Sequence, residues 1–260
     1  MSKAALVTGG ARRLGRAMVL RLARDGHDVA IHCLSGRDEA RALADEVRAT
    51  GRRAAVLEAD LLDAAQTGAL IARAGEALGS ALTVLVNNAS IFEFDTIATA
   101  TRESWDRHLE SNLRAPFVLT QHFAEQAPEP ALDAAGEPVA RALIVNMVDQ
   151  RVFKLTPGFM SYTLAKSALW TLTRTAAQAL APRVRVNAIG PGPTMRGPRQ
   201  SEAHFARQRA ATILNRGADS AEVAAALGYL LEAPSVTGQM ICVDGGQHLG
   251  WRTPDVLGPE

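Results

Sequence analysis

Seven short runs of branched and aliphatic residues recur along the chain, and between them apolar positions return every three or four residues over longer stretches. The runs are AALVT (Ala4 to Thr8), DVAIHC (Asp28 to Cys33), RAAVLEA (Arg53 to Ala59), LTVLVN (Leu82 to Asn87), ALIVNMV (Ala142 to Val148), RVRVNAI (Arg183 to Ile189) and GQMICV (Gly238 to Val243). A strand that is apolar at nearly every position is buried on both faces, and the amphipathic stretches supply the helices that cover it. The pattern predicts an α/β fold, a Rossmann-type doubly wound parallel sheet of about seven strands with helices on both faces. A chain of 260 residues holds this as one domain, 1–260. Two stretches break the alternation. Gln126 to Arg141 reads as an exposed excursion before the fifth strand. The stretch from Gly190 to Phe205 begins at a strand's carboxyl end and reads as the start of a substrate-covering loop over about 191–215, with a C-terminal tail at 247–260.

The first strand runs into LVTGGARRLGRAMVLRLA, a glycine-containing turn with a helix beginning near Leu14. Such a turn aims backbone N–H groups and the positive end of the helix dipole at a phosphate, and Gly9 and Gly15 let the phosphate come close. A tight structural turn accounts for the same glycines, and Arg13 stands where many dinucleotide folds have glycine. The end of the second strand is more specific, because enzymes that use NAD place an acid there for the ribose hydroxyls. Here His32, Cys33, Leu34, Ser35, Gly36 and Arg37 precede any acid. Arg12, Ser35 and Arg37 suit a 2′-phosphate, which favours NADPH; the plain alternative is that both arginines are solvated surface charges. Asp60 suits either the adenine end of a cofactor or a helix N-cap.

Tyr162 and Lys166 lie four apart in YTLAK, inside an amphipathic stretch running to Leu180, so both project from one helical face. An ammonium beside a phenol stabilises the phenolate, which poises a group of ordinary pKa ~10 to pass a proton at neutral pH.

With these motifs stand Ala59-Asp60, NNAS (Asn87 to Ser90), SNLRAPF (Ser111 to Phe117), RVNAIGPGP and VTGQMICVDGG. Together, in this order, they make the chain resemble the short-chain dehydrogenase/reductase family from end to end. The resemblance implies a Rossmann-type fold, a nicotinamide cofactor and hydride transfer. It places the cofactor, NADPH, on Gly9, Arg12, Arg13, Leu14, Gly15, His32, Ser35, Gly36, Arg37, Asp60, Leu61, Asn88, Ala89, Ser90, Tyr162, Lys166, Pro191, Gly192 and Thr194. It assigns catalysis to Asn112, Tyr162 and Lys166, with Asn112 supporting a water chain to Lys166 and Lys166 also holding the nicotinamide ribose. It further implies a homotetramer, with the tail WRTPDVLGPE crossing to a neighbour and Arg252 near that neighbour's active site.

One position departs from the family pattern: the serine expected thirteen residues before the tyrosine is Asp149. A serine and a tyrosine both donate to a ketone oxygen, whereas a carboxylate has no proton to give and faces the ketone's lone pairs. Either Asp149 is kept protonated, or the substrate offers N–H groups. Asp149, Arg13 in the turn and Phe92 just after NNAS together resemble the pteridine reductases. That resemblance implies that Phe92 stacks on a planar heterocycle, that Arg13 reaches the pyrophosphate and the substrate's polar edge, and that Ser90 bonds to the substrate. Asp149 and Tyr162 then steer protons while a C=N bond of a pterin, dihydropterin or dihydrofolate takes hydride. The alternatives are a reductase of a ketone or 3-oxoacyl thioester and, from another class, a non-catalytic NADP-binding sensor or scaffold. The second is disfavoured by the joint presence of Asn112, Tyr162 and Lys166.

Charge narrows the partners. The 28 Lys and Arg nearly cancel 27 Asp and Glu, so no broad field calls for nucleic acid or a membrane, and small molecules or copies of the chain are expected. Cys33 and Cys242 lie far apart, and His32, His108, His204 and the other histidines form no metal-type grouping, so no metal is expected and the histidines read as surface or packing residues. The absence of a leader or a membrane-length apolar run points to the cytoplasm.

Overall fold

All seven apolar runs form strands of one parallel sheet. The structure, a computed structural model, describes residues 3–197 and 200–252. The strands are β1 (Ala4–Val7), β2 (Asp28–Cys33), β3 (Ala54–Glu58) and β4 (Val84–Asn87); then, after a small hairpin of β5 (Ala131–Leu132) and β6 (Pro138–Val139), β7 (Ala142–Met147), β8 (Val184–Pro191) and β9 (Met240–Val243). The sheet order is β3-β2-β1-β4-β7-β8-β9. The chain winds outward from β1 in one direction and then, from β4, in the other, so the topological switch lies between β1 and β4.

Helices α1 (Arg13–Arg24), α2 (Arg37–Ala49) and α8 (Ser220–Glu232) cover one face, and α3 (Ala64–Leu78), α5 (Ala115–Gln126) and α6 (Met160–Leu180) the other. The central strand shows why both faces must be covered. Ala5 and Val7 of β1 pack with Met18 and Leu43 on one side, while Ala4 and Leu6 pack with Leu70 and Phe123 on the other. The helix α4 (Arg102–Leu109) continues into α5 through a π-helical turn, Glu110–Arg114. Such turns insert an extra residue into a helix and are found where a side chain must be re-aimed; here the turn contains Asn112.

A polar ladder crosses this apolar core. Asn87 Nδ2 at the end of β4 donates to Asn146 Oδ1 on β7 (2.8 Å), and Asn146 Nδ2 donates to Thr173 Oγ1 on α6 (2.9 Å). A one-residue slip of any of the three elements would leave buried polar groups without partners, so the ladder pins their register.

The two irregular stretches contain more structure than their sequences predict. In the first, Asp133 Oδ1 accepts from the N–H groups of Ala135 and Glu137 and closes the β5–β6 hairpin; strands of two residues give no periodicity to read. In the second, α7 (Glu202–Ala210) is capped by Ser201, whose Oγ accepts from His204 N. No residue of α7 is buried, so the helix has no apolar stripe to announce it. In the tail, residues 253–260 lie outside the described residues, and the Arg252 guanidinium sits over its own Trp251 ring at 5.8 Å.

Phe123, fully buried on α5, is remote from the cleft described below. Phe123→Ala is expected to lower the unfolding free energy by about 3–5 kcal/mol in urea titrations while leaving cofactor binding intact.

Candidate active site

The carboxyl end of β7 delivers Asp149. Its Oδ1 accepts from Arg151 N (2.8 Å) and starts a short 3₁₀ turn, Gln150–Val152, which leaves Oδ2 for another partner. That partner is Tyr162, whose hydroxyl donates to Asp149 Oδ2 at 2.9 Å. Lys166, one helical turn on, is buried and donates from Nζ to the carbonyl of Met147 (2.7 Å), with its ammonium 5.7 Å from the centre of the phenol ring.

The electrostatics correct one expectation. The phenol is not eased toward its anion: burial, the Asp149 charge and the hydrogen bond to Asp149 push its pKa well above the ordinary value, with Arg151 and the Ser90 hydroxyl opposing. Burial also raises the Asp149 carboxyl, against the Arg151 N–H and charge, the Tyr162 hydrogen bond and the Lys166 charge. Burial pushes the Lys166 ammonium down to about 8, with Asp149 opposing. Tyr162 is therefore a hydroxyl donor, and Asp149 is the group of the pair that exchanges its proton nearer neutrality.

The aromatic floor is thicker than the sequence suggests. Phe92 is half-exposed, but one face lies parallel to Phe159, centroids 4.3 Å apart and planes 6° apart, and its edge meets Tyr162 at 4.6 Å. Arg151 lies over Phe159 at 5.1 Å and donates to Thr156 Oγ1. Arg151, Phe159 and Phe92 thus form a stack beside the Asp149–Tyr162 pair. Sequence reasoning missed Phe159 and Arg151; the available signal was their placement between Asp149 and Tyr162. Asn112 is fully buried, but it spends its amide on Ile91, accepting from Ile91 N (2.9 Å) and donating to Ile91 O (2.8 Å). Among the described residues its side chain makes no bond toward Lys166; it pins the segment carrying Ser90 and Phe92.

At the switch point lies a cleft of about 510 Å³, lined among others by Gly9, Arg13, Gly15, Ser35, Asp60 and Asn88. A Cβ on Gly15 would lie 2.1 Å from Gly9 O, and Gly9 itself has φ +59, so the turn accepts only glycine at these points. The first turn of α1 has no side-chain cap and no acid, whereas Asp63 caps α3. A glycine cradle below an uncapped helix N-terminus fits a pyrophosphate, and Gly9, Leu14, Gly15, Leu61 and Ala89 are placed to line it. Ser35 lines it as well, while Gly36 packs against the Arg12 guanidinium. Asp60 binds Leu62 N (2.9 Å) in the turn before α3, so the cap belongs to Asp63 instead.

Four of the residues expected at the cofactor, of which His32, Arg12 and Arg13 line the cleft, are already engaged within the protein. His32 is buried with both ring nitrogens committed: Nδ1 accepts from Gly9 N (3.1 Å) and Nε2 donates to Ala59 O (3.0 Å). It shapes the cradle from behind and has no nitrogen left for a ligand. Arg13 adopts φ +53, a conformation that favours glycine, and its guanidinium donates to the carbonyls of Met195 (3.0 Å) and Arg196 (3.1 Å). Arg12 pairs with Glu39 at 2.5 Å and Arg37 with Glu58 at 3.6 Å, acids supplied by α2 and by the end of β3. Both pairs are exposed and therefore readily exchanged for a phosphate. Asn88 donates to the carbonyls of Thr8 and Gly9. Pro191 ends β8, Gly192 N donates to Val243 O, and Thr194 Oγ1 donates to Gly192 O; none of the three is among the residues that line the cleft.

Comparison with known proteins shows the family and the fold. A family profile described as enoyl-(acyl carrier protein) reductase matches residues 9–248. The structure of FolM alternative dihydrofolate reductase 1 from Brucella suis, in complex with NADP, superposes with a TM-score of 0.90 at 45% identity, covering 98% of each chain. The 3-oxoacyl-[acyl-carrier-protein] reductase FabG of Staphylococcus aureus is 30% identical over 254 residues, 96% of this chain and 99% of the relative. The short-chain dehydrogenase/reductase eriH of Hericium erinaceus is 32% identical over 253 residues, 94% of this chain and 96% of that one.

Replacing Arg12 and Arg37 together by glutamine is expected to raise KM for NADPH by about tenfold or more, the worth of one or two charge-assisted hydrogen bonds, with little change for NADH. Initial rates with both cofactors check this, and an equal effect on the two would remove the arginines from the 2′-phosphate site.

Proposed function

The chain belongs to the short-chain dehydrogenase/reductase family and is an NADPH-dependent oxidoreductase; from that premise we propose that it is a pteridine reductase, passing hydride to a C=N bond of a dihydropterin, pterin or dihydrofolate. The observation that carries this reading is the hydrogen bond from Tyr162 to Asp149, a carboxyl where a ketone reductase has a second hydroxyl donor. NADPH, when bound, supplies the hydride. The residues of the chain would supply everything else: Gly9, Gly15 and the N-terminus of α1 would hold phosphate, Lys166 would hold a ribose hydroxyl, and Phe92 would present a ring on which a flat heterocycle stacks.

The proton follows from the pair's electrostatics. A ring nitrogen that gains electron density when its neighbouring carbon takes hydride needs a proton. Asp149, raised by burial, carries one closer to neutrality than an exposed carboxyl does and delivers it, and Tyr162 holds the carboxyl's orientation through its own hydroxyl. The carboxylate left behind takes up a proton from solvent before the next reduction, so each cycle moves one proton from water to the ring nitrogen. The segment 191–215, with α7 inside it and Arg13 holding its base, serves as the cover.

The Brucella relative supports the pterin reading, and the FabG relative supports the second one, reduction of a ketone or 3-oxoacyl thioester. Assembly as a homotetramer in the cytoplasm belongs to the same proposal. The assembly is supported by exposed apolar residues on helical faces, Phe117, Leu164 and Tyr229. Among the described residues no helix is long and apolar enough to cross a membrane.

The test is NADPH oxidation at saturating cofactor with a 7,8-dihydropterin, dihydrofolate, ketones and acyl thioesters. Turnover of the pterin or folate with the ketones inert is expected; the reverse overturns the reading in favour of the second. Asp149→Ser is expected to lower kcat for the pterin by about a hundredfold or more, the usual worth of a positioned acid, without weakening NADPH binding. Because the protonated carboxyl is the donor, kcat falls as pH rises through the Asp149 pKa, and again near 8 where Lys166 loses its proton. In Asp149→Ser the first fall disappears and the second moves to lower pH, because the Asp149 charge that holds the Lys166 ammonium up against burial is gone; a profile of unchanged shape would take the carboxyl out of the proton path.

A further inference from the structure

Directly behind Tyr162 lies a chain of three buried polar side chains that the reduction chemistry does not use. His108 and Ser161 are fully buried and Asp95 is 2% exposed. Ser161 Oγ donates to Asp95 Oδ2, and His108 Nδ1 lies 2.7 Å from Ser161 Oγ. The other imidazole nitrogen, Nε2, accepts from Glu93 N at 3.1 Å, which puts the ring proton on Nδ1. Every proton then has one place, and the chain runs from His108 through Ser161 to Asp95. The hydroxyl stands between acid and imidazole, not beyond the imidazole as in a hydrolytic triad, and solvent does not reach it, so the cluster has no nucleophile to offer.

What the cluster does is cap a helix from outside. Helix α6 starts at Met160, and Phe159 at its N-cap adopts φ 60, ψ 48 and makes no side-chain cap. The orphan N–H groups of the first turn go to Asp95 instead. Its carbonyl accepts from Phe159 N (2.8 Å) and Met160 N (3.3 Å), and its Oδ1 accepts from Ser161 N (3.2 Å), 66 residues away in sequence. A carboxylate at this end of a helix also complements the dipole. The capping residue sits on the same segment as Phe92, and His108 of α4 holds that segment at Glu93. Tyr162 follows Ser161 directly, and the His108 and Tyr162 rings lie 6.1 Å apart. The cluster therefore joins the segment bearing Phe92 to the helix bearing the hydroxyl that orients Asp149.

We propose that Asp95, Ser161 and His108 are positioning residues that fix the Tyr162 hydroxyl and Asp149 relative to Phe92, so that substrate platform and proton source form one rigid unit. The proposal rests on Tyr162 and Asp149 as the proton-handling pair but not on the substrate being a pterin. A misplacement of ~1 Å in such a unit costs on the order of a hundredfold in rate.

Two variants test it. Ser161→Ala removes the bridging hydroxyl and keeps the backbone cap. Asp95→Asn conserves volume, but its NH₂ joins His108 as a second donor to Ser161 Oγ and leaves the serine proton without an acceptor. Each is assayed with the 7,8-dihydropterin or, if that is inert for the wild type, with the ketone or thioester that the wild type reduces, and NADPH Kd is measured by fluorescence. The expected result is a fall in kcat of about tenfold to a hundredfold, an increased solvent isotope effect as proton transfer becomes limiting, and an NADPH Kd unchanged within about twofold. Unchanged kcat in a folded variant overturns the proposal. So does a fall in kcat matched by an equal loss of NADPH affinity, which would mean general loosening. If Ser161→Ala does not fold, the isosteric Asp95→Asn decides by the same criteria, and failure of both to fold assigns the cluster to stability and overturns the positioning role.

Discussion

A phenol donating to a carboxyl across 2.9 Å, in surroundings that penalise charge on both, is the constraint around which the active site is arranged. Two such groups cannot ionise independently: a phenolate beside a carboxylate in a buried place is the costliest state of the pair, so the phenol keeps its proton and the carboxyl becomes the group that titrates. For that to work the two must stay in register, and they arrive on different elements. Lys166 binds the carbonyl of Met147, two residues before Asp149, and the ladder Asn87–Asn146–Thr173 ties β4, β7 and α6 together below it. The lysine thus serves the geometry of the pair as well as its electrostatics.

The nucleotide end depends on the same switch point. Thr8 at the end of β1 accepts from the N–H groups of Asn88 and Ala89, and Asn88 returns two hydrogen bonds to the Thr8 and Gly9 carbonyls. His32 supports Gly9 from below. The glycine turn is therefore fastened to the segment that leads, three residues on, to Phe92. Arg13 adds a second fastening, from the turn to the carbonyls of Met195 and Arg196 beyond β8. An arginine in a conformation that glycine adopts freely costs of order 1 kcal/mol, and the two charge-assisted hydrogen bonds it makes there offset that cost.

Elements whose identity is set by burial were legible in the sequence. Seven apolar runs became seven strands, and Tyr162, Lys166 and Asp149 met because helical and strand periodicity placed them there. What stayed hidden was decided by long-range polar partnership. The pKa of Tyr162 depends on Asp149 and on burial, and a neighbouring lysine in the sequence suggested the opposite direction. His32 reads as a cofactor contact until its two backbone partners are seen, and His108 as a packing residue until Ser161 and Glu93 are. Arg12 and Arg37 read as free cations because Glu39 and Glu58 come from neighbouring elements. Helix α7 and the β5–β6 hairpin bury almost nothing, so they leave no pattern.

The carboxyl in place of a hydroxyl changes what the site can recognise. Two hydroxyls aimed at one point form a pair of donors, complementary to a carbonyl oxygen and its lone pairs. A hydroxyl beside a carboxyl presents one donor and one group that accepts when ionised and donates when protonated, which is complementary to an edge where ring nitrogens and amino groups alternate. Arg151 makes the second arrangement tenable. Its charge opposes the burial of Asp149, and its guanidinium rests on Phe159, worth about 0.5–1 kcal/mol, with Phe159 in turn lying flat on Phe92. The residue that tempers the acid thus also stiffens the surface on which a planar substrate would lie, so charge control and shape selection share one stack of side chains.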